Sequence, residues 1–180
     1  MSSADGQLAV AVGPHDHIRG PATAAITLVE YGDYECSYCG EAFVIVGQLQ
    51  REFGVDLRLV FRNLPLVNVH PLAEGAAEAA EAVALQGKFW KMHDLLYEHE
   101  DALHEDALLG YAESAGADVD EVAAVLARRG TRERVQTDLL GAIRSGANGT
   151  PTFFVNGLRY DGSWKLEPFR EYLKGLLRPA

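Results

Sequence analysis

Cys36 and Cys39 are the only cysteines in a chain of 180 residues, with Ser37 and Tyr38 between them. Two thiols so close together suit two chemistries. They can exchange with a disulfide, one thiolate attacking and the other resolving the mixed disulfide, or they can supply half of a tetrahedral zinc site. Exchange needs a thiolate, and a free thiol with a pKa of about 8.5 is mostly protonated at neutral pH. A helix that starts at the motif would help Cys36, because unpaired N–H groups and the macrodipole favour negative charge at a helix N-terminus. Cys39 would then face inward, less accessible and suited to resolve. Zinc would need further ligands. There is no second cysteine pair, and His15, His17, His70, His93, His99 and His104 show no metal-finger spacing after the motif, so no metal is expected.

The elements around the motif read as an α/β fold. ITLVEY, Ile26 to Tyr31, is a short β-prone run ending in Gly32-Asp33, which predicts a buried strand and a loop just before the cysteines. After them, Ala42, Val46, Leu49 and Phe53 recur at helical spacing. In VDLRLVF, alternation predicts a second strand with Val55, Leu57, Leu59 and Phe61 on one face. From His70 to Gly146 only helical patterns occur, among them a capping-box pair at Asp118 and Glu121 and a helix from about Thr131 to Ser145 with Gly146 as its stop. Strand character returns in TPTFFVNGLRY, where Asn156-Gly157 marks a hairpin. A closing helix carries Pro168 near its first turn and Phe169, Tyr172, Leu173 and Leu176 inward. The expected organisation is an N-terminal extension (1–20), a thioredoxin-like domain in two pieces (21–66 and 147–180) and a helical insertion (67–146).

Composition narrows the function. Apolar residues make up 48% and charged residues 23%, as in ordinary globular proteins. A formal charge of -10 argues against a phosphate-backbone partner, so nucleic acid is set aside. No run reaches the roughly 18 apolar residues of a bilayer span, and no membrane partner is expected. The first residues do not read as a signal peptide, which favours the cytoplasm, where structural disulfides are rare; an exported mature form would read the same.

LVEYGDYECSYCG, HPLAEGAAEAAEA, QGKFWKMHDLLYEH and NGTPTFFVNGLRYDGSW together resemble the DsbA-like thiol:disulfide oxidoreductases of the thioredoxin superfamily, over nearly everything from about Asp16 to Leu177. The resemblance is to the soluble bacterial branch, which is often cytoplasmic and in some proteins is joined to a sodium/proton antiporter; nothing here resembles the antiporter part. It implies a thioredoxin-like fold with an inserted helical domain, Cys36 as nucleophile and Cys39 as resolving thiol, and no cofactor beyond that pair. It also implies a cis bond at Thr150-Pro151, where Thr150 would offer its backbone to an extended client by β-augmentation. Partners would be protein or peptide thiols and disulfides, with a reductant such as thioredoxin or glutathione. Glu30, at the end of the first strand, takes the place of an acidic residue that modulates proton transfer; the plainer reading pairs it with a base such as Arg62.

The motif departs from the commoner family pattern. Ser37 stands where proline is usual and adds an N–H and a hydroxyl that could stabilise thiolate. The strongly oxidising members carry a histidine at the position of Tyr38, and tyrosine supplies no such charge. The expected potential is therefore below the roughly -120 mV of the strongest oxidants, in the broad region of about -180 to -270 mV. Elsewhere, His15-Asp16-His17 reads as solvated polarity, His93 as a satisfied core histidine, Trp90, Tyr97 and Tyr111 as packing, and EHEDALHED as a solvated helix edge. Two other functions compete: a glutathione-dependent transferase or isomerase on the same fold, whose members typically have serine where this chain has the cysteine pair, and a non-enzymatic redox sensor.

Overall fold

A computed structural model describes residues 6–178. Five strands form one mixed sheet in the order β1-β3-β2-β4-β5. They are β1 (His17–Arg19), β2 (Ile26–Gly32), β3 (Leu57–Asn63), β4 (Thr152–Val155) and β5 (Leu158–Tyr160). β2 and β3 run parallel; β1 on β3, β4 on β2 and β5 on β4 run antiparallel. The parallel pair is bridged by α1 (Ser37–Phe53), as a βαβ unit requires. β2 is buried almost throughout because both of its faces are covered.

On one face, Ile26, Leu28, Leu57, Leu59, Phe153 and Val155 pack against Ala42, Val46 and Leu49 of α1 and against Phe169 and Leu173 of α7 (Leu166–Leu176). On the other, Val29, Tyr31, Val60 and Phe154 meet Ala142 of α6 (Arg132–Arg144). A third core joins the cysteine region to α2 (Ala73–Ala84), α3 (Phe89–Glu98), α4 (Glu105–Ser114) and α5 (Val119–Ala127). Burying each large aliphatic side chain in these cores stabilises the fold by about 1.5–3 kcal/mol, an upper figure because the unfolded chain already hides some surface.

Local signals carry over well. The Asp118 side chain accepts the Glu121 N–H and caps α5, and Gly146 leaves α6 with a positive φ. Asn156 and Gly157 both have positive φ, as a tight hairpin demands.

Some expectations fail for physical reasons. Val55 is not on the strand: Gly54–Asp56 form a 3-10 turn and leave it 75% exposed, so β3 begins at Leu57. Tyr172 and Leu176 lie at the edge of the α7 contact and stay partly exposed, whereas Phe169 and Leu173 are fully buried. Residues 6–20, read as an extension, are tied into the sheet by β1 and by a bridge from Gln7 to Leu158; residues 1–5 lie outside the described ones.

The His-Asp-His stretch is also more than solvated polarity. Arg62 donates from Nε to Asp16 Oδ1 at 2.7 Å and from Nη2 to Asp16 Oδ2 at 2.9 Å, a bidentate pair with both side chains buried. His17 stacks on Phe89 with ring centroids 3.4 Å apart and meets the Glu81 carboxylate at 2.9 Å. Burial works against the Asp16 carboxylate, but Arg62 and the Gly13 N–H outweigh it and hold its pKa below the usual value.

Candidate functional site

The site begins where β2 ends. Asp33 turns the chain with an Asx turn: its Oδ1 accepts the Glu35 N–H at 2.8 Å, while its carbonyl accepts the Cys36 N–H at 3.2 Å. Cys36 then caps α1 with extended backbone angles, and its carbonyl receives the N–H groups of Cys39 at 2.8 Å and Gly40 at 3.1 Å. Its side chain therefore sits over the unpaired donors of the first helical turn. Cys39 is fully buried, Cys36 is 5% exposed, and both are free thiols.

The two sulfurs are electrostatically unlike. The Cys39 thiol donates to Cys36, and although burial opposes ionisation there, a hydrogen bond from Thr150 and the N–H groups of Cys39 and Tyr38 add to that bond; together they bring the Cys36 pKa down to about 5. Burial, the bond to Cys36 and the charges of Glu30 and Cys36 push the Cys39 pKa well up. One thiolate and one thiol thus share a proton-donor bond, with the more accessible, ionised sulfur outside and the protonated one inside.

Ser37 and Tyr38 form the exposed first turn of α1, Tyr38 at 63% exposure. The donors acting on Cys36 in this turn are the backbone groups of Tyr38 and Cys39, and the Ser37 hydroxyl is not among the leading ones. Opposite them, the Thr150-Pro151 bond is cis and brings the Thr150 carbonyl to 3.5 Å from Cys36 Sγ. The Thr150 hydroxyl is buried and has no partner beside the Cys36 thiol, but it can donate to Cys36 once that sulfur is a thiolate. Carbonyl and hydroxyl suit different protonation states: the first accepts from a thiol, the second donates to a thiolate.

Beneath the motif, Glu30 is 3% exposed and its Oε1 has no partner. The plainer pairing with Arg62 is overturned, because Arg62 is spent on Asp16, the Tyr31 hydroxyl and the carbonyls of Val10 and Ala11. Burial first, then the Cys36 charge, raises the Glu30 pKa to about 8. Glu30 also borders a cavity of about 20 Å³ with Phe43, Val46 and His93, room for one water. His93 is a core histidine: its Nδ1 lies 3.1 Å from the Tyr34 hydroxyl, and burial keeps its pKa well below the usual range. Trp90 and Tyr97 pack in the same aromatic cluster, and Tyr111 bonds the Ala102 carbonyl.

Two groups beside the motif escaped the sequence reading. Glu100, from the acidic stretch read as a solvated edge, packs over Gly40, where a Cβ would fall inside its carboxylate, and its Oε2 is buried without a partner. Burial and the Cys36 charge raise its pKa. His70 reaches back to Asp33 from the loop before α2. The Asx turn in Gly-Asp-Tyr-Glu was a readable signal for Asp33, whereas the Gly40–Glu100 approach depends on how α3 ends. Among the described residues, no cluster of three or more His, Cys, Asp or Glu is arranged to hold a metal ion, and no helix is long and apolar enough to cross a membrane.

Comparison with known proteins agrees with this architecture. The Na(+)/H(+) antiporter NhaA 1 of Salinispora arenicola is 51% identical over 161 residues, 89% of this chain and 24% of that protein. The NhaA of Herminiimonas arsenicoxydans is 48% identical over 149 residues, again 24% of its length. The chain thus spans about a quarter of these relatives. Among solved structures, BdbD from Bacillus subtilis superposes with a TM-score of 0.83 at 22% identity, covering 98% of this chain and 99% of that one. A thioredoxin-like oxidoreductase from Silicibacter pomeroyi gives 0.80 at 26% identity, covering 93% and 95%. The thiol-disulfide exchange protein alpha-DsbA2 of Wolbachia pipientis gives 0.78 at 20% identity, covering 91% and 88%. A thioredoxin family model matches residues 13–175, and the chain belongs to that family, built on the DsbA-like form of its fold.

Proposed function

We propose that the protein is a thiol:disulfide oxidoreductase in which Cys36 attacks and Cys39 resolves. The observation that carries this is the unequal thiol pair, with Cys36 ionised well below neutrality and Cys39 held protonated against it. In the reductive direction the Cys36 thiolate attacks one sulfur of a client disulfide, forms a mixed disulfide and expels the other sulfur as a thiolate. Cys39 then loses its proton and attacks Cys36 Sγ, releasing the second client thiol and leaving a Cys36–Cys39 disulfide. Glu30 serves as the proton acceptor for that second step: formation of the mixed disulfide removes the Cys36 charge, one of the two causes of its raised pKa, and so favours the ionised carboxylate that can take the Cys39 proton.

Clients are extended protein or peptide segments that add to the Thr150 backbone. Exposed Tyr38, Val67, Val69 and Leu72 support this reading by offering apolar contact near the motif. A thiol reductant such as thioredoxin or glutathione would regenerate the dithiol without any other cofactor, and a reducing cytoplasm would favour net reduction. Insulin reduction by dithiothreitol tests the scheme: wild type accelerates it and Cys36→Ser abolishes the acceleration. Retained turnover in that variant would refute the assignment, and a single conformational switch without turnover would favour a sensor.

A further inference from the structure

His70 lies outside the cysteine motif and the strands, yet its placement is fixed with respect to both. Its N–H bonds the Leu66 carbonyl at 2.9 Å, closing the turn after β3, and its ring Nδ1 lies 2.8 Å from Asp33 Oδ2. Asp33 is wholly buried at its side chain, and the same Oδ2 accepts the Leu66 N–H at 2.8 Å while Oδ1 holds the Glu35 N–H. One carboxylate therefore ties the loop bearing His70 to the loop that delivers Cys36, whose N–H bonds the Asp33 carbonyl. The imidazole keeps 23% of its surface in solvent, so it can exchange a proton with water.

We propose that His70 is a positioning residue for the thiol chemistry: its imidazolium, clamped by Asp33, supplies the positive charge beside the Cys36 thiolate that Tyr38 cannot supply. This rests on the exchange reading above. The groups facing His70 are Asp33, Glu35 and Cys36, all anionic when ionised, and Glu35 is itself held by the Leu72 N–H at 2.7 Å. Burial lowers the His70 pKa, but the Asp33 bond and the charges of Asp33, Cys36 and Glu35 outweigh it and raise the pKa overall. Glu30 and Glu100 face Cys36 with the opposite influence. Because the imidazolium favours the reduced, thiolate form, loss of its proton as pH rises makes the centre a stronger reductant. A histidine thus couples the redox equilibrium to pH, from another loop.

Coupling between two sites is reciprocal, so wild-type protein supplies the first test. NMR titration of the His70 ring in the dithiol and disulfide forms should give a higher midpoint in the dithiol form, since oxidation removes the thiolate charge. Next, His70→Asn should raise the midpoint of the Cys36 thiolate absorbance and shift the glutathione equilibrium on the order of fivefold towards the disulfide, the upper range for partly exposed ion pairs. His70→Lys should restore both, and its potential should lose the histidine inflection against pH. Equal His70 midpoints in the two redox states, with Cys36 still rapidly alkylated, would overturn the His70 assignment alone. A wild-type Cys36 that shows no preferential alkylation would instead overturn the exchange reading and this proposal with it.

Discussion

Replacing Glu30 with Gln should change how stability depends on pH, by an amount the site defines. The folded carboxyl has a pKa of about 8 against an ordinary value of 4.5. Between those two values the unfolded chain has released this proton and the folded protein still holds it, so the folded state binds more protons and loses stability as pH rises. The loss starts near the unfolded pKa, reaches about 3 kcal/mol at pH 7 and levels off at about 4–5 kcal/mol above the folded pKa. Glutamine has no such titration. Urea unfolding of wild type and Glu30→Gln at a series of pH values should therefore give curves that separate steadily, the variant gaining relative stability from about pH 5 to 8. Disulfide-form protein is the sample of choice, because it removes the Cys36 thiolate, the second cause of the shift, and leaves burial, the larger one. Stability curves that run parallel across that range would refute an uncharged Glu30 beneath the motif.

Three further outcomes follow from the same geometry. Absorbance of the reduced protein at 240 nm should titrate near pH 5 from Cys36, with iodoacetamide labelling Cys36 and sparing Cys39 at neutral pH; a midpoint above 7.5 would contradict the donor set around Sγ. Lowering the attacking thiol from about 7, as in thioredoxin, to about 5 stabilises the thiolate form by about 2 kcal/mol at pH 7, which moves the potential from about -270 to about -220 mV; a glutathione equilibrium above about -140 mV would contradict it. Gly40→Ala should be near neutral or stabilising by up to about 1 kcal/mol, since its Cβ displaces only the free carboxylate end of the flexible Glu100 side chain while alanine favours the helix. A loss of more than about 2 kcal/mol in thermal unfolding would mean that Glu100 is held against Gly40 and cannot move aside.

Much of this was legible in the residues because local rules dominate there. Asp118 with Glu121 and Asn156-Gly157 each act within a few positions, and the folded chain uses them as read, whereas the cis bond at Thr150-Pro151 was implied by the family resemblance and not by a local rule. What stayed hidden depends on tertiary approach. Arg62 could be matched to Glu30 by sequence, but the chain before β1 brings Asp16 to it instead, leaving Glu30 with burial as its main influence. The short β1 has too few residues to show alternation, so His17 looked solvated although it stacks on Phe89. Glu100 looked like part of a solvated edge, and His70 like no more than a candidate metal ligand, because their partners, Gly40 and Asp33, are remote in sequence.

The division of labour between the two sulfurs is best tested by trapping. Cys39→Ser incubated with a peptide disulfide should accumulate a covalent adduct that intact-mass and peptide mapping place on Cys36, reversed by dithiothreitol, while Cys36→Ser under the same conditions should accumulate none. An adduct carried by Cys39 in the Cys36→Ser protein at a comparable rate would contradict the assignment of Cys36 as the attacking thiolate and Cys39 as its buried resolver.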